Sequence, residues 1–89
     1  MRFEWDTEKA ARNLSKHGVS FAEASTAFDD PLSVTITDPR HSWDEERLVL
    51  FGMSRRGRLV AVAHTDREGT TRIISARLMT RHEREQYQA

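Results

Sequence analysis

Two apolar runs, residues 48–53 and 59–63, are separated by Ser54-Arg55-Arg56-Gly57-Arg58, and a third, residues 71–77, follows a second turn signal at Glu68-Gly69. Short turn signals between apolar runs make hairpins, so this half of the chain is bound to an antiparallel meander. A further strand precedes it. From Leu32 the apolar period becomes two, with Leu32, Val34 and Ile36 alternating with Ser33, Thr35 and Thr37, so that one face is expected to be buried and the other to meet water.

The first thirty residues follow another period. Arg2-Phe3-Glu4-Trp5 alternates as a short strand; Asp6 then fits a helix N-cap, with Ala10, Ala11 and Leu14 at helical spacing and Gly18 placed to end the helix. Ser20 and Glu23 have the spacing of a capping box, and Phe21, Ala24, Ala27 and Phe28 form one apolar face until Asp29-Asp30-Pro31 stops it. Thr80 and Glu83 repeat the capping-box spacing ahead of a closing helix over about residues 80–88, while Ser42 to Glu45 is expected to cap a single turn. The order is β-α-α-β-β-β-β-α, an α+β domain with helices gathered on one face of an antiparallel sheet. Phe3, Trp5, Trp43 and Phe51 are expected in or beside its core.

Eighty-nine residues suffice for one modest core, so residues 1–89 are expected to form one domain. The absence of cysteine removes disulfides and thiolate metal sites. The charged start and the lack of a long apolar run point to a cytoplasmic protein without a membrane span. The zero net charge hides an asymmetry. Residues 1–46 carry five Lys/Arg against ten Asp/Glu, whereas residues 47–89 carry nine arginines, no lysine and four Asp/Glu. Guanidinium groups hold phosphate oxygens in pairs, so an arginine-only basic half suits a phosphate-bearing or an acidic protein partner, or else a solvated face paired to the acidic half.

Three blocks in order, FEWDTEKAARNLSKHGVSFAEASTAFDDP, D-x-x-HSWDEER over residues 38–47, and RIISARLMTRHERE, resemble the BrnT family of type II toxin–antitoxin ribonuclease toxins across residues 3–87. The resemblance implies a fold like that of RelE-type ribonucleases, cleavage of RNA that arrests translation, and neutralisation by a BrnA-type ribbon-helix-helix antitoxin. DNA would be contacted only through that complex, the toxin standing as a dimer or in a 2:2 assembly. A non-catalytic protein- or RNA-binding module with a basic docking face is the alternative.

Metal-independent RNA cleavage needs a proton taken from the 2′-hydroxyl, charge stabilised at the phosphoryl oxygens and a proton given to the leaving 5′-oxygen. Arginine serves the second need and histidine the other two. Arg77, at the strand end before the capped helix, and Arg67, in the hairpin leading into that strand, are the phosphate candidates; His41 and His17 are the proton carriers, and Lys16, Arg72 and Arg81 extend the RNA surface. Structural readings stand beside these: His17 as a favourable charge at a helix C-terminus, His41 as an exposed loop residue, Arg81 as a solvated helix residue. His64 reads as a strand-end residue, His82 as solvated, and Tyr87 enters through RelE-type enzymes that use a C-terminal tyrosine. No metal-ligand spacing is present and no cofactor is expected. Strict alternation along the last strand puts Thr71, Ile73, Ser75 and Arg77 on one face and Arg72, Ile74 and Ala76 on the other, leaving open which face meets the helices.

Overall fold

The computed structural model describes residues 1–39 and 46–88. Along the chain come β1 (Arg2–Glu4), α1 (Thr7–His17), α2 (Phe21–Thr26), a 3-10 turn (Ala27–Asp29), β2 (Val34–Thr37), β3 (Leu48–Met53), β4 (Leu59–Arg67), β5 (Thr70–Leu78) and α3 (Arg81–Gln88). The expected order of strands and helices is the observed one. The sheet runs β1-β5-β4-β3-β2, antiparallel except where β1 joins β5 in parallel. That parallel pair corrects the all-antiparallel expectation: β1 is three residues long, and α1 and α2 carry the chain from it to the far edge of the sheet.

Local chemistry accounts for the helix ends. The Asp6 carboxylate accepts from the backbone N–H groups of Glu8 and Lys9, and Gly18 closes α1 at φ 71°. Ser20 Oγ accepts from Glu23 N–H, but the Glu23 carboxylate does not return to complete the box. It turns instead to Arg58, which donates to it through Nε and Nη2, and to Ser54 Oγ at 2.8 Å, tying α2 to the β3–β4 hairpin. Thr80 and Glu83 do form the full reciprocal box, at 3.2 and 2.9 Å. In the β4–β5 turn Glu68 (φ 49°) and Gly69 (φ 82°) both sit in the left-handed region that a two-residue hairpin requires.

The core lies between α1, α2 and one sheet face: Val19, Phe21, Ala24, Ala27, Leu50, Val60, Val62, Ile73 and Ala76 are buried there, with Phe3, Trp5 and Phe28 packed against them. Each large side chain so buried contributes about 1.5–3 kcal/mol. Phe51 does not join them, because it neighbours Leu50 along β3 and therefore points to the opposite face. Trp43 lies outside the described residues, as does the turn expected at Ser42 to Glu45.

Strand β5 has two irregularities that set the placement of its arginines. β1 covers only Thr70 to Arg72. Beyond it, Asn13 of α1 stands in for the missing strand, its Nδ2 donating to Ala76 O at 2.8 Å and its Oδ1 accepting from Ala76 N at 3.1 Å. Nearer the middle, Ala63 pairs with Ser75 but His64 pairs with Ile73, so Ile74 has no partner and the strand bulges there. Thr71, Ile73 and Ala76 are accordingly buried, while Arg72 and Ser75 are exposed and Arg77 is half-buried.

Candidate active site

The bulge corrects the alternation expected from sequence. Arg72 and Arg77 are five residues apart, an odd separation that in a regular strand puts them on opposite faces; the extra residue brings Arg72, Ser75 and Arg77 to the same face. This face is turned away from α1 and α2. By register it also carries Arg67 from β4, Arg47 opposite Asp38, Val49 and Phe51 from β3, and Val34 and Ile36 from β2. The helices are thus not all on one side, as expected, since α3 lies over this second face and meets Val34, Ile36 and Phe51 across a cleft of about 420 Å³. His82, Glu83, Gln86 and Tyr87 form the helical wall.

Arg77 is positioned from two directions. The strand end sets its backbone, and Glu83 grips its guanidinium with both oxygens, accepting from Nη1 at 2.7 Å and from Nη2 at 3.0 Å. A bidentate grip of this kind fixes the guanidinium plane. The Glu83 carboxylate is pulled below its ordinary range, first by that hydrogen bonding, against the opposing effect of burial, while the pKa of Arg77 is raised by the same contact. Nη1 also donates to Leu78 O, which leaves Nε–H and the second Nη2 hydrogen uncommitted among the described residues. Those two donors form the other fork of the guanidinium, with the geometry that suits two oxygens of one phosphate.

The remaining candidates are distributed differently from their expectation. Arg67 faces the same side, but it pairs with Thr70 while Arg77 pairs with Ala61, six residues away along β4. At strand spacing that separates them by ~20 Å, so one phosphate does not touch both. Arg72 pairs with Glu4 at 2.9 Å on the exposed surface. Arg81 pairs with Glu85 at 3.2 Å on the outside of α3. Lys16 and His17 form the basic last turn of α1, where cations suit the helix dipole. His41 lies outside the described residues.

His64 is buried, edge-on to Phe28 at 4.9 Å, with Nδ1 3.1 Å from Val62 O. His82, read from sequence as solvated, is exposed and lines the cleft one residue before Glu83. Its signal was available in part, because the Thr80–Glu83 box fixes where α3 begins; which side of α3 meets the sheet was not. Tyr87 donates a short hydrogen bond to Asp30 Oδ2, whose carboxylate also accepts from Met53 N and Leu32 N, so this tyrosine anchors α3. Arg58 is a structural ion-pair partner rather than a solvated arginine, whereas Arg55 and Arg56 are exposed. Arg47 is half-buried, and its Nε has no partner among the described residues. Among the described residues no three His, Asp or Glu side chains converge as a metal site requires, and no helix is long and apolar enough to cross a membrane.

The arrangement matches known proteins at two levels. The crystal structure of the Brucella abortus ribonuclease toxin BrnT superposes with a TM-score of 0.69 at 21% identity, over 91% of this chain and 99% of that one, a likeness that speaks to fold. No curated protein matches the sequence. The family model described as "Ribonuclease toxin, BrnT, of type II toxin-antitoxin system" matches residues 5–83. With most of its length inside that match, the chain belongs to the BrnT family: it is a ribonuclease toxin, acting on RNA and partnered by an antitoxin.

Proposed function

We propose that RNA is cut on the open face of the sheet, at Arg77, without a metal. A ribose 2′-hydroxyl loses its proton and attacks the adjacent phosphorus. The P–O5′ bond breaks and the 5′-oxygen takes a proton, leaving a 2′,3′-cyclic phosphate. The free fork of Arg77 holds the non-bridging oxygens as charge builds on them. Histidine is the residue type suited to move both protons, and His82 lines the cleft next to Glu83, the carboxylate that holds Arg77. Arg72 and Arg67 lie farther along the same face as contacts for flanking phosphates. What carries the reading is the bulge at Ile74, which sets Arg77 on the face turned away from α1 and α2, beside α3.

The antitoxin we propose is of the BrnA ribbon-helix-helix type, bound in a 2:2 complex that reaches DNA only through the antitoxin, and the site of action is the cytoplasm. A short reading frame for such a protein, overlapping or directly following this one, is the expected gene neighbour. For the site, the test is cleavage of labelled RNA by purified variants. Arg77→Ala and His82→Ala are each expected to reduce cleavage about 10²-fold or more while keeping the native circular dichroism spectrum. Undiminished cleavage by Arg77→Ala would remove the site from this face. Loss with His41→Ala but not with His82→Ala would pass the proton role to His41.

A further inference from the structure

The alternation of Leu32, Val34 and Ile36 reads as a strand with one face buried, yet the described residues leave that face largely open, with α3 meeting it only across the cleft. Leu32 is 70% exposed, Val34 55% and Ile36 47%, and every residue of β2 is exposed. β2 is also an edge of the sheet. Asp38 N–H donates to Arg47 O, and counting inward along the antiparallel register makes Ile36–Val49 and Val34–Phe51 the hydrogen-bonded pairs. Thr35 and Thr37 therefore direct their N–H and C=O groups outward. Exposed edges are ordinarily blunted by lysine, proline or a bulge, and β2 has none of these. The apolar cleft beneath α3 continues from its surface through Val34, Ile36 and Phe51.

We infer that β2 and this cleft are the docking surface for an extended segment of the protein antitoxin. The segment adds to the sheet as a sixth strand and sets alternate apolar side chains against Val34 and Ile36. The alternating outward N–H and C=O groups match the donors and acceptors of another extended polypeptide backbone, and β2 offers a phosphate no cation. The arginines farther across the face, Arg47, Arg72 and Arg77, select acidic residues in the segment beyond its apolar part. The inference rests on the family assignment for the existence of an antitoxin, and on the proposed site for its consequence: an occupant of the cleft lies beside His82 and Glu83 and shields Arg77 from RNA.

The experiment uses the full-length toxin and the full-length antitoxin encoded beside it. Amide exchange at Thr35 and Thr37 is expected to slow at least tenfold in the complex, and a complex that leaves both amides as fast as in the free toxin overturns the inference. Thr35→Pro and Thr37→Pro each remove one outward donor without touching the ladder to β3. Both variants are expected to cut RNA as the parent does while binding antitoxin at least tenfold more weakly. Undiminished neutralisation of both variants overturns the inference. So does loss of RNA cleavage with antitoxin binding intact, which assigns the edge to RNA, or a free toxin dimer that these substitutions dissociate, which assigns it to a second copy. If the parent toxin cuts no RNA, the proposed site fails while the exchange footprint still decides the docking surface.

Discussion

Tyr87 is the only tyrosine in the chain, and its hydroxyl is committed to Asp30. That hydrogen bond, together with burial, pushes its pKa up to about 12. A phenol so held stays protonated at neutral pH, and its hydroxyl anchors α3 through Asp30. The raised folded value sets the sign of its linkage: the stabilisation is full below the ordinary value of 10 and is lost as pH rises through about 12. Titrating phenolate absorbance in the folded protein is therefore expected to give a midpoint near 12 in place of 10, and Tyr87→Phe is expected to flatten the alkaline fall in stability. At this same scale the sequence was informative only about residue types. It picked out Arg77 by its place before a capped helix. It gave no warning that Glu83, counted only as a capping residue, would also hold the Arg77 guanidinium.

At the scale of elements, signals carried by neighbouring residues were legible and those carried by distant partners were not. Caps at Asp6, Gly18 and Thr80 and turns at Gly57 and Glu68-Gly69 depend on a few adjacent residues, and the structure has them where the sequence puts them. The bulge at Ile74 depends on how β5 registers against β4, and both isoleucines are equally apolar, so no local feature marks the extra residue. The side of the sheet taken by α3 was hidden for a related reason: RHEREQYQ has no buried residue and hence no apolar stripe to orient it. Asn13 illustrates the same limit. Nothing in its neighbourhood marks it, yet it satisfies both backbone groups of Ala76 where β1 has ended. Removing the amide leaves buried groups unpaired, and Asn13→Ala is expected to lower the unfolding free energy by about 2–4 kcal/mol in chemical denaturation, with no new contact able to replace the strand.

For the whole molecule, two carboxylates join separate layers. Glu23, with its side chain 4% exposed, is held below its ordinary value first by hydrogen bonding from Arg58, against burial, and links α2 to the β3–β4 hairpin. Glu83, held in the same direction by Arg77, links α3 to β5. Because both folded values are depressed, their contribution is present above the ordinary value of 4.5 and disappears as pH falls through the lower folded values. Thermal melts are expected to show a fall in midpoint over that acidic window. Glu23→Gln should shrink the fall and lower the melting midpoint at neutral pH, since it leaves Arg58 without its carboxylate.

The bulge also gives β5 a single residue of slack, and with it an uneven tolerance for changes in length. Deleting Ile74 closes the ladder, because Ile73 and Ser75 already face His64 and Ala63, which are neighbours on β4. Ala76 then stays in the core and Arg77 stays on the outer face, with only the local twist that aims the arginine relaxed. A second deletion between Arg72 and Arg77 has no slack left to absorb it, and would turn Ala76 outward and Arg77 toward the interior. Chains of this kind can therefore lose one residue from the strand without rewriting the core, but not two.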